Sequence, residues 1–142
     1  MHVVALILGL SLFMLAFLLG GEPAHAFNLH TAYLVVGGAL SFTYVAHRGA
    51  LWQALAVGLF GKTADPETRA HSVHVLKTLR SAFMSVSIAF AIIGGIGMSR
   101  GLDDLATFGP AFAVLLLAPL YGVIFGELVI MTAMRRLEVE RD

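Results

Sequence analysis

Cysteine is absent from the 142-residue chain. No disulfide framework, zinc–thiolate site, iron–sulfur cluster or cysteine nucleophile is open to it. Charge is scarce as well: Asp, Glu, Lys and Arg together make 13% of the residues, against roughly a quarter in a soluble domain. Nine basic residues balance nine acidic ones, so there is no basic surplus of the kind that marks a nucleic-acid binder. No G-x-S-x-G, H-E-x-x-H, phosphate loop or dinucleotide fingerprint occurs, so neither an enzyme nor a bound cofactor is expected. What the chain has in quantity is apolar surface, with 58% hydrophobic residues and a mean hydropathy of +0.87. It reads as a small all-α integral membrane protein with one membrane domain over residues 1–142.

A membrane span needs about 20 mostly apolar residues, and four runs qualify. They are residues 3–20, 27–46, 81–99 and 109–133. The first is followed by Ala24-His25-Ala26, which imitates a secretory cleavage site. It lacks the basic n-region of a signal and is rather long for one, so a retained helix is expected. Eight of the nine Lys and Arg fall in the connection 47–80 or in the tail after residue 133, leaving Arg100 alone on the other side. By the positive-inside rule both termini are cytoplasmic. Within the connection, Leu51 to Val57 reads as a short interfacial helix carrying Trp52 and ended by Gly61. Asp65-Pro66-Glu67 then has the order of a helix start: N-cap, first-turn proline, first-turn acid. No breaker comes after it, which predicts one helix from Pro66 to about Ser99 with a cytoplasmic first half.

Helices in lipid associate through close backbone approach at small residues. The last span carries Ala118, Gly122 and Gly126 four apart. The third carries Ser87, Ala91 and Gly95, beside Gly94 and Gly97, and the second Gly37 and Ser41, beside Gly38. The third and fourth spans are therefore expected at the centre. So many small faces also suggest a homo-oligomer, with packing inside one bundle as the alternative.

Candidate chemistry is sparse. Glu127 is the one strongly charged residue inside a span, past its middle toward the cytoplasm. It fits an ion-relay or partner-binding site, or a structural carboxylate paired with an arginine such as Arg80. Asp103 and Asp104 stand in the outer loop, as a pore mouth or as solvated loop residues. His71 and His74 share a helix face without a third ligand, so no metal site is expected. Ser85 and Ser87 are polar groups of the third span that bond their own backbone or line a wet path. Pro119 removes one backbone donor and is expected to break the last span near Leu115, beside Tyr121.

Three stretches carry a family resemblance. They are Phe27-Asn28-Leu29 with Leu34-Val35-Val36-Gly37-Gly38-Ala39-Leu40; Ile92-Ile93-Gly94-Gly95-Ile96-Gly97; and Gly109-Pro110-Ala111-Phe112-Ala113-Val114 with Leu120-Tyr121-Gly122 and Arg136-Leu137. Together with the span order and the long second connection, they resemble the MotA/TolQ/ExbB proton-channel superfamily. The resemblance implies a ring of about five copies with cyclic symmetry in a bacterial inner membrane. The ring would surround the single helix of a MotB-, ExbD- or TolR-like partner that carries the ion-binding Asp. Ser85, Ser87, Pro119, Tyr121 and Glu127 would then lie along the ion path, and Asp103 and Asp104 at its outer mouth. The chain departs from the family in three ways. Its cytoplasmic part is only about Arg48 to Arg80, Pro119 stands where a hydroxyl residue is usual, and Ile88 and Thr132 stand where prolines are common. The expected function is a ring-forming subunit of an ion-driven motor or force-transducing complex, with the proton as the expected ion. A non-conducting membrane scaffold or accessory subunit is the alternative, and a small four-helix transporter or membrane enzyme is a third reading.

The charge bias makes one direct prediction. Reporter fusions at Asp104 and at Asp142 should report opposite sides of the membrane, and the same side for both overturns the four-span arrangement.

Overall fold

The structure, a computed structural model, describes residues 7, 11, 28–99 and 105–139. Among these there is no strand, and three helices are long and apolar enough to cross a membrane. The protein is helical and membrane-embedded. The helices are α1 (Leu29–His47), α2 (Ala50–Phe60), α3 (Pro66–Ser99), α4 (Leu105–Val123) and α5 (Met131–Val139), with a π-helical segment (Ile124–Ile130) joining the last two. The expected second, third and fourth spans correspond to α1, the second half of α3, and the rod from α4 into α5. Apart from Ile7 and Ser11, the first apolar run lies outside the described residues, as do Asp103 and Asp104.

The helix ends obey local chemistry. The Asn28 side chain accepts the Thr31 N–H at 3.2 Å and caps α1. At the other end the Arg48 N–H bonds the Tyr44 carbonyl at 2.6 Å. Arg48 itself has φ +47°, a conformation rare for a side-chain-bearing residue, and with Gly49 it turns the chain into α2. Gly61, at φ +66°, closes α2 in the left-handed conformation that glycine adopts freely. Asp65 caps α3 by accepting the Thr68 N–H at 3.1 Å. Hydrogen bonding from the Thr68 side chain, and then from its backbone, holds the Asp65 carboxyl below the usual carboxylate range. From Pro66 the helix runs unbroken for 34 residues, as the sequence predicts. At 1.5 Å per residue that is about 51 Å, well beyond a hydrocarbon core.

α3 is the axis, in contact with every other described element. On its first half, Leu76 and Leu79 are fully buried with Leu51 and Ala54 of α2 and with Ala133 and Leu137 of α5. On its second half the packing is backbone to backbone, in antiparallel register. A Cβ added at Gly94 would lie 3.4 Å from the Leu115 Cα, and one at Gly95 3.2 Å from the Leu115 Cδ1. At Gly122 it would lie 2.6 Å from the Ser87 Cβ and 3.1 Å from the Phe83 carbonyl oxygen. At Gly126 it would meet the Phe83 Cβ at 3.4 Å. Ala118, on the same stripe, is fully buried. Gly38 of α1 closes on Val86, where an added Cβ would come within 2.8 Å.

Two expectations change here. The Ala118–Gly122–Gly126 stripe is occupied inside one chain, by α3, and so is not a free face for a second copy. Spacing identifies a contact stripe but not whose helix fills it. Gly37 has no neighbour within 4 Å of an added Cβ, and Ala91 is half-buried. Nor does Pro119 break the last span: α4 continues through it to Val123. A proline costs its helix one donor, and the remaining bonds on either side carry the helix across. The departure from α geometry begins five residues later, at Ile124.

These contacts separate two glycines that look alike in sequence. Gly122→Leu should lower thermal stability in detergent by about 3 kcal/mol or more through overpacking. Gly37→Ala should leave stability unchanged or raise it by about 0.5–1 kcal/mol through helix propensity. Equal effects at both positions would refute the register described here.

Candidate functional site

The site begins with Glu127 and the segment that carries it. In the stretch Ile124–Ile130 the backbone bonds reach one residue further than in an α-helix, and the Met131 N–H donates to the Gly126 carbonyl five residues back. Adjacent residues of an α-helix point about 100° apart. The wider turn lets Gly126 pack on Phe83 while Glu127, its neighbour, also reaches α3. There Arg80 donates from Nε to Oε1 at 2.9 Å and from Nη2 to Oε2 at 2.8 Å. This is a two-point, charge-assisted pair of planar groups, the strong form of such contacts. Both side chains are about a third exposed, at 39% and 30%. They sit where the apolar part of α3 starts, so the pair lies at one edge of the membrane core. Phe83 and Phe125 stack beside it with centroids 5.6 Å apart. Of the two roles open to Glu127 in the sequence, the geometry is that of the carboxylate paired with Arg80. A carboxylate held this way has both oxygens engaged.

The other expected ion-path residues do not share a surface. Ser87 is fully buried under Gly122, and its hydroxyl donates to the Met84 carbonyl at 2.9 Å. Ser85, two residues away and so on nearly the opposite side of α3, is exposed. Tyr121 is buried, and its hydroxyl accepts the Asn28 N–H at 3.0 Å, tying the start of α1 to α4. Pro119 is half-buried. Of the five, only Ser85 lies on the exposed stripe of α3 that includes Ile88, Ile92 and Ile96.

A second cluster was not legible in the sequence. His47, the last residue of α1, lies edge-on to His74 with centroids 5.5 Å apart and to His71 at 6.4 Å. Its Nε2 is 2.9 Å from the Thr78 hydroxyl, which also donates to the His74 carbonyl at 3.3 Å. His71 and His74 thus have a third imidazole beside them, supplied by the antiparallel packing of α1 on α3. No spacing rule links position 47 to position 74. The His47 ring meets the other two edge to face. Among the described residues no group of three His, Cys, Asp or Glu is disposed to hold a metal ion.

No family model matches the chain, and a search of curated proteins gave no match. The functional reading therefore rests on the residues and their geometry.

The ion pair makes a quantitative prediction. Arg80→Ala and Glu127→Ala should each destabilise the protein. The double variant should be less damaged than the sum, with a coupling of about 1–3 kcal/mol for a two-point pair. Thermal unfolding of the four proteins measures it, and additive losses would show that the pair contributes nothing.

Proposed function

We propose that the chain is a ring-forming membrane subunit, of about five copies with cyclic symmetry, in an ion-driven force-transducing complex of the MotA/TolQ/ExbB kind. A partner's single membrane helix, of MotB, ExbD or TolR type, would supply the titrating Asp. One observation carries this reading: among the described residues, the acid within the membrane spans is already committed, Glu127 to Arg80. A carboxylate that takes up and releases protons must be free to change partners and has its pKa set by burial. Here such a group would have to come from outside the chain. The exposed stripe through Ser85, Ile88, Ile92 and Ile96 offers a dry surface with one hydroxyl, suited to a helix that brings its own acid. The same observation also favours the second reading, a non-conducting scaffold that holds a partner in a bacterial inner membrane without ion flow.

Flux separates the two. Liposomes holding the chain and its partner should admit protons faster than empty ones, and Ser85→Leu should reduce that flux with the complex intact. No flux above empty liposomes, with the complex present, leaves the scaffold reading. Flux from the chain alone would refute the need for a partner acid.

A further inference from the structure

The rod from α4 into α5 lies against α3 with a cleft between them, and the cleft holds two adjoining cavities. The inner one, of about 350 Å3, is lined by Lys77, Arg80, Ser81, Met84, Glu127 and Met134. The outer one, of about 410 Å3, has Arg69, His74 and Lys77 of α3 and Glu138 of α5 in its walls. Lys77 borders both. At roughly 30 Å3 per molecule, the inner cavity has room for on the order of ten waters.

The walls decide what fills it. Four of the six residues that line the inner cavity are charged or polar. Lys77 and Ser81 are exposed, and Arg80 and Glu127 keep part of their surface free although they are paired. Acyl chains in this space would strip water from an ammonium and from an ion pair, which is unfavourable without new partners for them. Water satisfies all of these groups.

Depth gives the water a use. Arg80 stands where the apolar part of α3 starts. Met84 is four residues further in, about 6 Å into the hydrocarbon at 1.5 Å per residue. The polar cavity therefore continues past the edge of the membrane core. Ser81 lines it and shares a helix face with Ser85, one turn deeper. Neither of these two hydroxyls is hydrogen-bonded among the described residues, whereas that of Ser87 is spent on the Met84 carbonyl. Two free hydroxyls thus lead from the cavity to the exposed stripe with Ile88, Ile92 and Ile96.

We infer that the cleft between α3 and α5 is a water-filled vestibule, which brings water from the side of the connection 47–80 to Met84 and to Ser81, at the foot of the Ser85 stripe. Its use as the exit for protons released by a partner's acid rests on the function proposed above. The hydrated cleft itself does not.

The chain has no cysteine, so single introduced cysteines report hydration directly. A thiol reacts as its thiolate, which forms in water and not in hydrocarbon. Met84→Cys and Ser81→Cys are made in the full chain, in vesicles with the connection 47–80 outward, and treated with a charged, impermeant methanethiosulfonate. The control is Ser41→Cys. Gly38 packs on Val86 and His47 meets Thr78, which puts Ser41 about level with Phe83, at an exposed position of α1 that lines neither cavity. Both cleft variants should react about tenfold faster than the control. Ser81 is exposed, so Ser81→Cys keeps the test open even where Met84→Cys loosens the packing. Equal rates in the cleft and at Ser41→Cys overturn the inference, because the membrane edge is then equally wet all round. So does labelling of the cleft only by an uncharged, membrane-permeant reagent, which marks a space filled by acyl chains. In a conducting complex with the partner, Ser81→Leu should lower proton flux, and unchanged flux there refutes the exit. A complex that conducts nothing while Met84→Cys still labels refutes conduction and supports the vestibule.

Discussion

Everything in the membrane half of this protein depends on how closely α3 and α4 approach. Surrounding lipid is as apolar as the helices, so apolar surface alone gives them no reason to associate, and dispersion contacts between backbones must do it. Gly122 on Ser87, Gly126 on Phe83 and Gly94 on Leu115 bring the two helices together at successive turns. That single register also fixes the next step, where Arg80 meets Glu127. The ion pair thus inherits its alignment from the glycines. A shift of the zipper by one turn would leave two charges unmatched at the edge of the membrane.

The other half of the molecule is held by different physics. Leu51, Leu76, Leu79 and Leu137 are almost completely buried where α2, the first half of α3 and α5 meet. Beyond the hydrocarbon, burial of apolar area is worth about 25 cal/mol per Å2, so this end behaves as a small water-facing core. Toward the lipid, Tyr33, Phe42, Val45, Ile92 and Ile96 stay exposed without penalty. One helix, α3, passes through both regimes and joins them. Its length is therefore a structural necessity, and the cap at Asp65 sits at the far end of a lever anchored in the bilayer.

The sequence carried the fold where local chemistry decides it. Asp65-Pro66-Glu67, the absence of a breaker up to Ser99, and the glycine at position 61 are local signals, and α2 and α3 obey them. The small-residue stripe on the last span was visible too, because four-residue spacing marks a helix face. Its partner was not visible, since neither a neighbouring helix nor a neighbouring copy is written in that spacing. Arg80 stood among the partners open to Glu127, and the pairing needed the fold to be decided. His47 was missed because its companions are brought to it only by the packing of α1 on α3. Pro119 misled in the other direction: a strong local rule pointed to an interruption that the helix absorbs. The π-helical stretch left no signature of its geometry, as Ile124–Ile130 reads as an apolar run interrupted by Gly126 and Glu127.

That stretch has a mechanical consequence. A π turn is an α-helix carrying one residue more than its hydrogen-bond ladder needs, and removing that surplus rotates the helix beyond it by about 100°. The rod therefore contains one residue of slack between the part zipped to α3 in the bilayer and the part that packs on α2. Moving this slack along the segment re-aims only the residues it passes, whereas losing it turns α5, and with it Leu137 and Glu138, while the contacts of Gly94 and Gly122 above stay in register. The last span behaves as two shafts joined by a torsional coupling, with the Arg80–Glu127 pair seated on the coupling itself.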